Sequence, residues 1–204
     1  QKVHKQNIQI NHAYNSLLIS YNKSNKGFNH ETTLLQDLYA SKDTHQKSIF
    51  KLWKIPVCYD NSFALDLELI SLEKGLSKSK IIQLHSEPIY TVFFIGFLPG
   101  FLYLGGLNDQ LYTPRKATPR LDIVKGAVAI GGHQTGIYPN ESPGGWNIIG
   151  NSPINFFDVN KPIPCFASAG DKIKFIPVSI DEYHSIKKLV ELDAYELESE
   201  VMHG

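Results

Sequence analysis

Two arginines stand five residues apart in TPRKATPR (113–120), each directly after a Thr-Pro pair. Proline fixes its own φ and holds the residue before it extended, so Arg115 and Arg120 are presented from a stiffened segment. A guanidinium is a planar fork of donors that matches a carboxylate or phosphate, which makes both arginines candidates for holding an anionic ligand. The competing reading is surface pairing with Asp109 or Asp122. Downstream, GAVAIGGHQTGIYPNESPGGWNIIG (126–150) passes from an apolar run into glycines and closes on Ser-Pro-Gly-Gly-Trp. Glycines after a strand mark a sharp turn or a close approach to something else. Gln134, Thr135, Ser142 and the backbone amides of Gly144 and Gly145 are therefore candidate neutral donors to a small ligand, with a decorated hairpin as the plainer alternative. Phe97, Pro99 and Phe101 in the aromatic loop GFLPGFLYLGGL (96–107), with Tyr138 and Trp146, are candidate walls for that pocket. Histidine as a residue type titrates near neutrality, which makes His85 and His133 candidate proton carriers, or else structural hydrogen-bonding residues.

Other chemistries find no support. There is no G-x-x-x-x-G-K-[ST] phosphate loop, and Asn140 and Pro143 in NESPGG break the G-x-S-x-G nucleophile pattern. No His and Asp sit at a recognisable spacing from Ser142, so no catalytic residue is assigned. The eight histidines show no H-x-x-x-H spacing and the two cysteines, Cys58 and Cys165, form no C-x-x-C pair, so no metal site is expected. Twenty basic residues balance twenty acidic ones, which argues against a nucleic-acid or acidic-membrane partner. No run is long enough to span a membrane, QKVHKQNIQINH lacks the apolar core of a signal peptide, and two distant cysteines suit a reducing compartment. A cytoplasmic protein is expected.

The elements that must carry these residues divide by glycine. Eleven of the fifteen glycines fall between Gly96 and Gly150, and residues 1–85 hold two. The first region predicts a strand at 15–22 and a helix over 29–41, capped by Asn29 with Leu34, Leu35 and Leu38 buried. A β segment follows at 52–60, placed at an edge or bulge by Pro56. A helix over 62–75 comes next, burying Leu65, Leu69 and Leu72 and stopped by Gly75, then a short helix capped by Ser77. The second region opens with IYTVFFIGF (89–97), apolar enough to be buried on both faces. The pieces LYT, AVAIGG, WNIIG, INFFD and KIKFIPV follow between turn signals, as in a sandwich or closed barrel. Ser179 and Glu182 then predict a capping box for a last helix with Ile186, Leu189, Val190 and Leu197 on its apolar face, and ELESEVMHG is expected to fray.

In this order and spacing, GFLPGFLYLGGL, TPRKATPR, GAVAIGGHQTGIYP and ESPGGWNIIG resemble the allophanate hydrolase subunit 1 family. AYNSLLISYN, IPVCYD, GLS…IIQLHS and AGDKIKF extend the likeness over most of the chain. Leu102 stands where that family usually has proline. The resemblance implies a mainly β protein with an α+β part. A small α/β domain (1–85), lacking the family's first strand and helix, would precede a cyclophilin-like β-barrel (86–180) and a helical tail (181–204). It further implies a subunit of the 5-oxoprolinase B type, inactive alone. Such a subunit works with a larger allophanate hydrolase subunit 2-type protein and a third lactam-utilisation subunit. The assembly uses ATP, for which this chain alone binds no cofactor, to open the lactam of 5-oxoproline, a small carboxylate bearing an amide. The same family implies two alternatives: a module that docks on and inhibits a sensor histidine kinase, or part of a biotin-dependent urea carboxylase or allophanate hydrolase system.

Overall fold

A computed structural model describes residues 8–22, 27–41 and 49–203. It divides into two compact units with the boundary between Ile49 and Phe50. In the first, β1 (Ile8–His12) and β2 (Leu17–Tyr21) form an antiparallel hairpin with Ile10 opposite Ile19, so a strand does precede AYNSLL. Helix α1 (Phe28–Ala40) begins after Gly27 with no side-chain cap, and Asn29 lies inside its first turn. The apolar face of α1 is weaker than its leucines suggest. Glu31 is the buried residue, Leu35 and Leu38 are half-buried, and Leu34 is exposed.

The second unit is built on β3 (Ile49–Cys58), α2 (Leu67–Lys74), α3 (Lys78–Ser86), β4 (Ile89–Ile95) and β5 (Leu102–Gly105). There follow β6 (Arg120–Ile123), β7 (Ala127–Gly131), β8 (Gln134–Ile137), β9 (Ser142–Gly144), β10 (Asn147–Asn151), β11 (Lys172–Val178), α4 (Ile180–Glu191) and β12 (Ser199–His203). The main sheet runs β10-β7-β8-β5-β4-β11-β3-β12, and β10 pairs back onto β3 where Asn151 meets Cys58. Seven strands thus close into a barrel, which removes the open edges a flat sheet would present. The mainly β, cyclophilin-like barrel is the architecture that the resemblance implies. Strands β6 and β9 form a separate ribbon.

The structure departs from several sequence expectations. The barrel draws on more of the chain than 86–180: β3 runs parallel to β11 over seven residue pairs, from Leu52 to Cys58, so a segment assigned to the small domain is a barrel stave. Nor is β3 an edge, because β12 and β10 flank its other side, and Pro56 is buried opposite Ile176. Residues 199–203 form β12, with the Lys54 ammonium paired to Glu198 and Glu200, so this end is held in the sheet. INFFD forms no strand, and LYT lies at a 3-10 turn (Asp109–Leu111) followed by a bridge between Thr113 and Gly132. Helix α2 starts only at Leu67, buries Leu67 and Ile70 and turns Leu69 and Leu72 outward, while Leu65 is exposed ahead of it and Asp66, at its N-cap, is tethered inward. Strand β4 alternates, with Tyr90 and Val92 buried but Ile89 and Phe93 exposed. On the last helix Tyr183 takes the deepest position, while Leu189 is exposed.

The local stop and start signals hold as read. Gly75 ends α2 at φ 64°, Ser77 accepts from the Lys80 amide at 3.1 Å, and Ser179 and Glu182 close a reciprocal capping box on α4. Within the barrel wall, side chains alternate between two apolar clusters. Val128, Ile130 and Ile137 face the interior with Ile55, Val57, Tyr90 and Phe175, whereas Ala127, Ala129 and Ile148 face outward beneath Phe101, Tyr138 and Trp146. Period-two alternation explains how β7 is buried along its whole length yet serves two cores.

The interior cluster encloses one polar chain. The Thr135 hydroxyl donates its single proton to the Ala129 carbonyl (3.0 Å), so it accepts from His85 Nε2 at 2.8 Å. His85 Nδ1 is then the acceptor for the Tyr59 hydroxyl at 2.7 Å, and Tyr90 donates to the His85 carbonyl at 2.6 Å. Burial lowers the His85 pKa to about 3, so at neutral pH the ring is an uncharged structural hydrogen-bonding group that keeps its Nε2 proton and takes up no second one. A depressed histidine pKa means the unfolded chain binds the extra proton first. Its contribution to stability is complete above the ordinary value near 6.5 and declines as the pH falls toward 3. The melting temperature should therefore fall steadily between pH 6.5 and 4.5. A His85→Gln variant should melt lower at pH 7 but with a shallower slope over that interval, measured by differential scanning calorimetry.

Candidate functional site

The arginine segment is tied down by a single carboxylate. The Asp66 side chain, 3% exposed, takes both arms of the Arg120 guanidinium at 2.8 Å, the Lys116 ammonium at 2.7 Å and the Ile148 backbone amide at 2.7 Å. Its own amide returns a bond to the Ile148 carbonyl at 2.8 Å. Burial opposes the charge on Asp66, but the Arg120 fork, the Lys116 ammonium and the Ile148 amide outweigh it and hold the carboxyl below its ordinary value. The loop ahead of β6 is thereby stapled to the start of α2 and to β10. The Lys116 amide also donates to the Gly145 carbonyl at 2.7 Å, which fixes the arginine segment against the Gly-Gly turn. Arg120 is therefore paired with neither Asp109 nor Asp122, and its fork is spent on Asp66.

Arg115 is left differently. Its guanidinium lies over the Trp146 ring, 5.5 Å from the centroid, and among the described residues no carboxylate pairs with it. It sits at an open cavity of about 300 Å³ whose walls include Phe97, Phe101, Tyr103, Tyr138 and Trp146. Pro119, Pro143, Gly144 and Gly145 complete the lining. The rings brace one another: Phe101 meets Tyr138 at 5.1 Å and Trp146 at 5.5 Å, both edge-on, and Tyr103 at 4.7 Å. Bare backbone makes room for two of them. A Cβ on Gly131 would overlap the Trp146 indole, and one on Gly144 would overlap the Tyr138 hydroxyl. Burial pushes the Tyr103 and Tyr138 phenols above their ordinary pKa, so both stay protonated at neutral pH and can donate. One unpaired cation, two phenols and flat apolar walls suit a small ring that bears a carboxylate.

Seven of the residues singled out in the sequence thus meet at one cavity: Phe97, Phe101, Arg115, Tyr138, Gly144, Gly145 and Trp146. The others go elsewhere. Thr135 pairs with Ile130 in register and so shares its inward face, where it serves His85. Gln134 lies at the hairpin end opposite Gly131, half-buried and away from the lining. Ser142 is buried in the β6–β9 ribbon, where its hydroxyl meets no hydrogen-bond partner and hence no base. Pro99 is exposed in the turn before Gly100, and His133 is exposed with its ring edge-on to Tyr112. Tyr103, Pro119 and Pro143 are additions. Tyr103 follows Phe101 by two residues, the spacing that puts both on one face of a strand. Among the described residues no group of three or more His, Cys, Asp or Glu could hold a metal, and no helix is long and apolar enough to cross a membrane.

The family model for the carboxyltransferase domain, subdomain C and D, matches residues 1–167, and the chain belongs to that family. Relatives named as the B component of 5-oxoprolinase are 50% identical over 128 residues in Haemophilus influenzae and 41% identical over 138 residues in Bacillus subtilis. Those matches cover 63% and 68% of this chain, and span only 60% and 58% of the relatives' own length. The resemblance to the allophanate hydrolase subunit 1 family is thus upheld. Among solved structures, the conserved protein PH0987 from Pyrococcus horikoshii aligns with TM-score 0.63 at 36% identity, over 89% of this chain and 83% of that one. The Kluyveromyces lactis urea carboxylase aligns with TM-score 0.82 at 19% identity over 100% of this chain and 21% of its own, a likeness of fold.

Removing Arg120 leaves a nearly buried carboxylate without two of its four bonds, with Lys116 and the Ile148 amide as its remaining partners. Arg120→Ala should cost about 2–3 kcal/mol, less than for a fully buried pair because the arginine keeps some contact with water. Arg115→Ala should stay within about 0.5 kcal/mol, because its surface contact with Trp146 is weak. Urea denaturation of both variants measures the difference. Because the Asp66 pKa is depressed, the stabilisation from its tether is complete above the ordinary carboxylate value and is lost as the pH falls below that value and through the lowered folded-state one.

Proposed function

We propose that this chain is the B component of a 5-oxoprolinase system and contributes the part of a shared site that holds the substrate's carboxylate. The observation that carries this reading is Arg115, unpaired among the described residues, over Trp146 at the mouth of an aromatic cavity. 5-Oxoproline is a small ring with one carboxylate and one lactam amide. Its carboxylate would take the Arg115 fork, its ring would lie against the aromatic walls, and the Tyr103 and Tyr138 hydroxyls would be the nearby neutral donors. The names of the relatives favour the same system.

Opening an unstrained lactam requires activation of its carbonyl and stabilisation of the anion that forms when water adds. The cavity lining offers no nucleophile and no histidine, so those steps would fall to the larger allophanate hydrolase subunit 2-type partner and the third, lactam-utilisation subunit. ATP would be used by that assembly in the cytoplasm. A single cation in a cavity of about 300 Å³ is poorly matched to a triphosphate, which supports ATP binding elsewhere. The kinase-inhibitor alternative needs a docking face and no small ligand, so turnover in a reconstituted complex separates it from this reading.

The purified chain alone should show no ATP-dependent 5-oxoprolinase activity, and mixing with both partner subunits should restore turnover. In the complex, Arg115→Ala should raise the KM for 5-oxoproline about tenfold or more, as loss of a charge-assisted hydrogen bond does. Turnover by the chain alone, or an unchanged KM in the Arg115→Ala complex, would overturn the reading.

A further inference from the structure

Phe97 holds a backbone conformation that its side chain disfavours. Its φ is 68°, and among the described residues the other non-glycine with positive φ is Asp193 at 52°. Aspartate tolerates the left-handed region, whereas a bulky aromatic there is an outlier. Such strain usually persists where burial compensates for it, yet the Phe97 side chain gains little: the residue is 63% exposed, against 1% for Phe101. The turn does not require a phenyl group either. Gly96 and Gly100 already flank it, and a third glycine at 97 would serve the chain reversal without strain.

The loop nevertheless fixes the ring in place. The Gly96 amide donates to the Phe101 carbonyl at 3.2 Å and the Phe101 amide to the Leu98 carbonyl at 3.0 Å, so Phe97 sits inside a closed turn. Its ring stands edge-on to Phe101, 5.8 Å away at 87°, and lines the cavity that Arg115 borders. The aromatic set that begins in the buried cluster is thereby carried out to the rim, where a flat exposed face is presented.

We propose that Phe97 contacts the ligand directly as the outer wall of the cavity, stacking on the flat face of a small ring whose carboxylate is held by Arg115. This inference rests on the reading that the Arg115 cavity takes the substrate. It makes Phe97 a specificity residue that packs on the flat lactam amide and selects small lactam rings over open-chain carboxylates of similar size.

The test uses the reconstituted complex with 5-oxoproline as probe, together with thermal melting of each variant. Phe97→Ala and Phe97→Gly should each raise KM about tenfold, the loss of one aromatic stacking contact, while Phe97→Tyr stays within about twofold. Both truncations remove the ring, so their melting temperatures differ through the backbone. The glycine variant should melt roughly 2–4 °C above the alanine variant. An unchanged KM in both truncations alongside a raised KM in Arg115→Ala would sink the Phe97 inference and leave the cavity reading standing. An unchanged KM in all three would end both. A glycine variant that melts at or below the alanine variant, or a tyrosine variant as impaired as alanine, would also overturn the inference.

Discussion

The carboxylate of Asp66 is the constraint on which the candidate site depends. It gathers Arg120, Lys116 and the Ile148 amide, so the start of α2, the loop ahead of β6 and strand β10 converge on one nearly buried residue. An isolated charge at that depth would be strongly unfavourable, and it is tolerated because the acceptor positions of both oxygens are engaged by donors, two of them cationic. The consequence for function is a division of labour within TPRKATPR. Two cations are consumed in holding the segment, and the third is delivered to the rim of the cavity over Trp146.

A second constraint is steric. Trp146 and Tyr138 can lie against the outer face of the barrel because Gly131 and Gly144 present no side chain beneath them. The glycines that make the stretch from Gly126 to Gly150 look like a ligand cradle are chiefly a bed for aromatic rings, and those rings in turn form the walls. Polar chemistry inside the barrel is kept separate. His85, Thr135, Tyr59 and Tyr90 satisfy one another in the interior, and strand parity keeps them from the outer cavity. A barrel wall that serves two cores can thus lock its interior without spending the groups that face a ligand.

What can be read from the sequence follows the range of each interaction. Caps and stops at Ser77, Gly75 and Ser179 depend on partners within four residues, and each is legible. The aromatic and glycine motifs carry the family resemblance and assemble most of the cavity. Asp66 is invisible because its partners lie 54 and 82 residues away, and nothing in SFALDLELIS marks one carboxylate as buried. Thr135 is misplaced by the sequence because inward and outward faces differ by one residue, and only the pairing of Ile130 with Thr135 sets the parity. The leucines of α2 mislead for a related reason. Two apolar faces are available, and the one that is buried, Leu67 and Ile70, lies next to the tethered Asp66.

The central claim, that the Asp66–Arg120 pair holds the site together, is tested most directly by a double-mutant cycle. Asp66→Asn, Arg120→Gln and the double variant would be compared with the parent by urea denaturation at pH 7. The account requires a coupling energy of about 1.5–3 kcal/mol, because each single change strands a charged partner that the double change removes. Effects that add to within about 0.5 kcal/mol would contradict it.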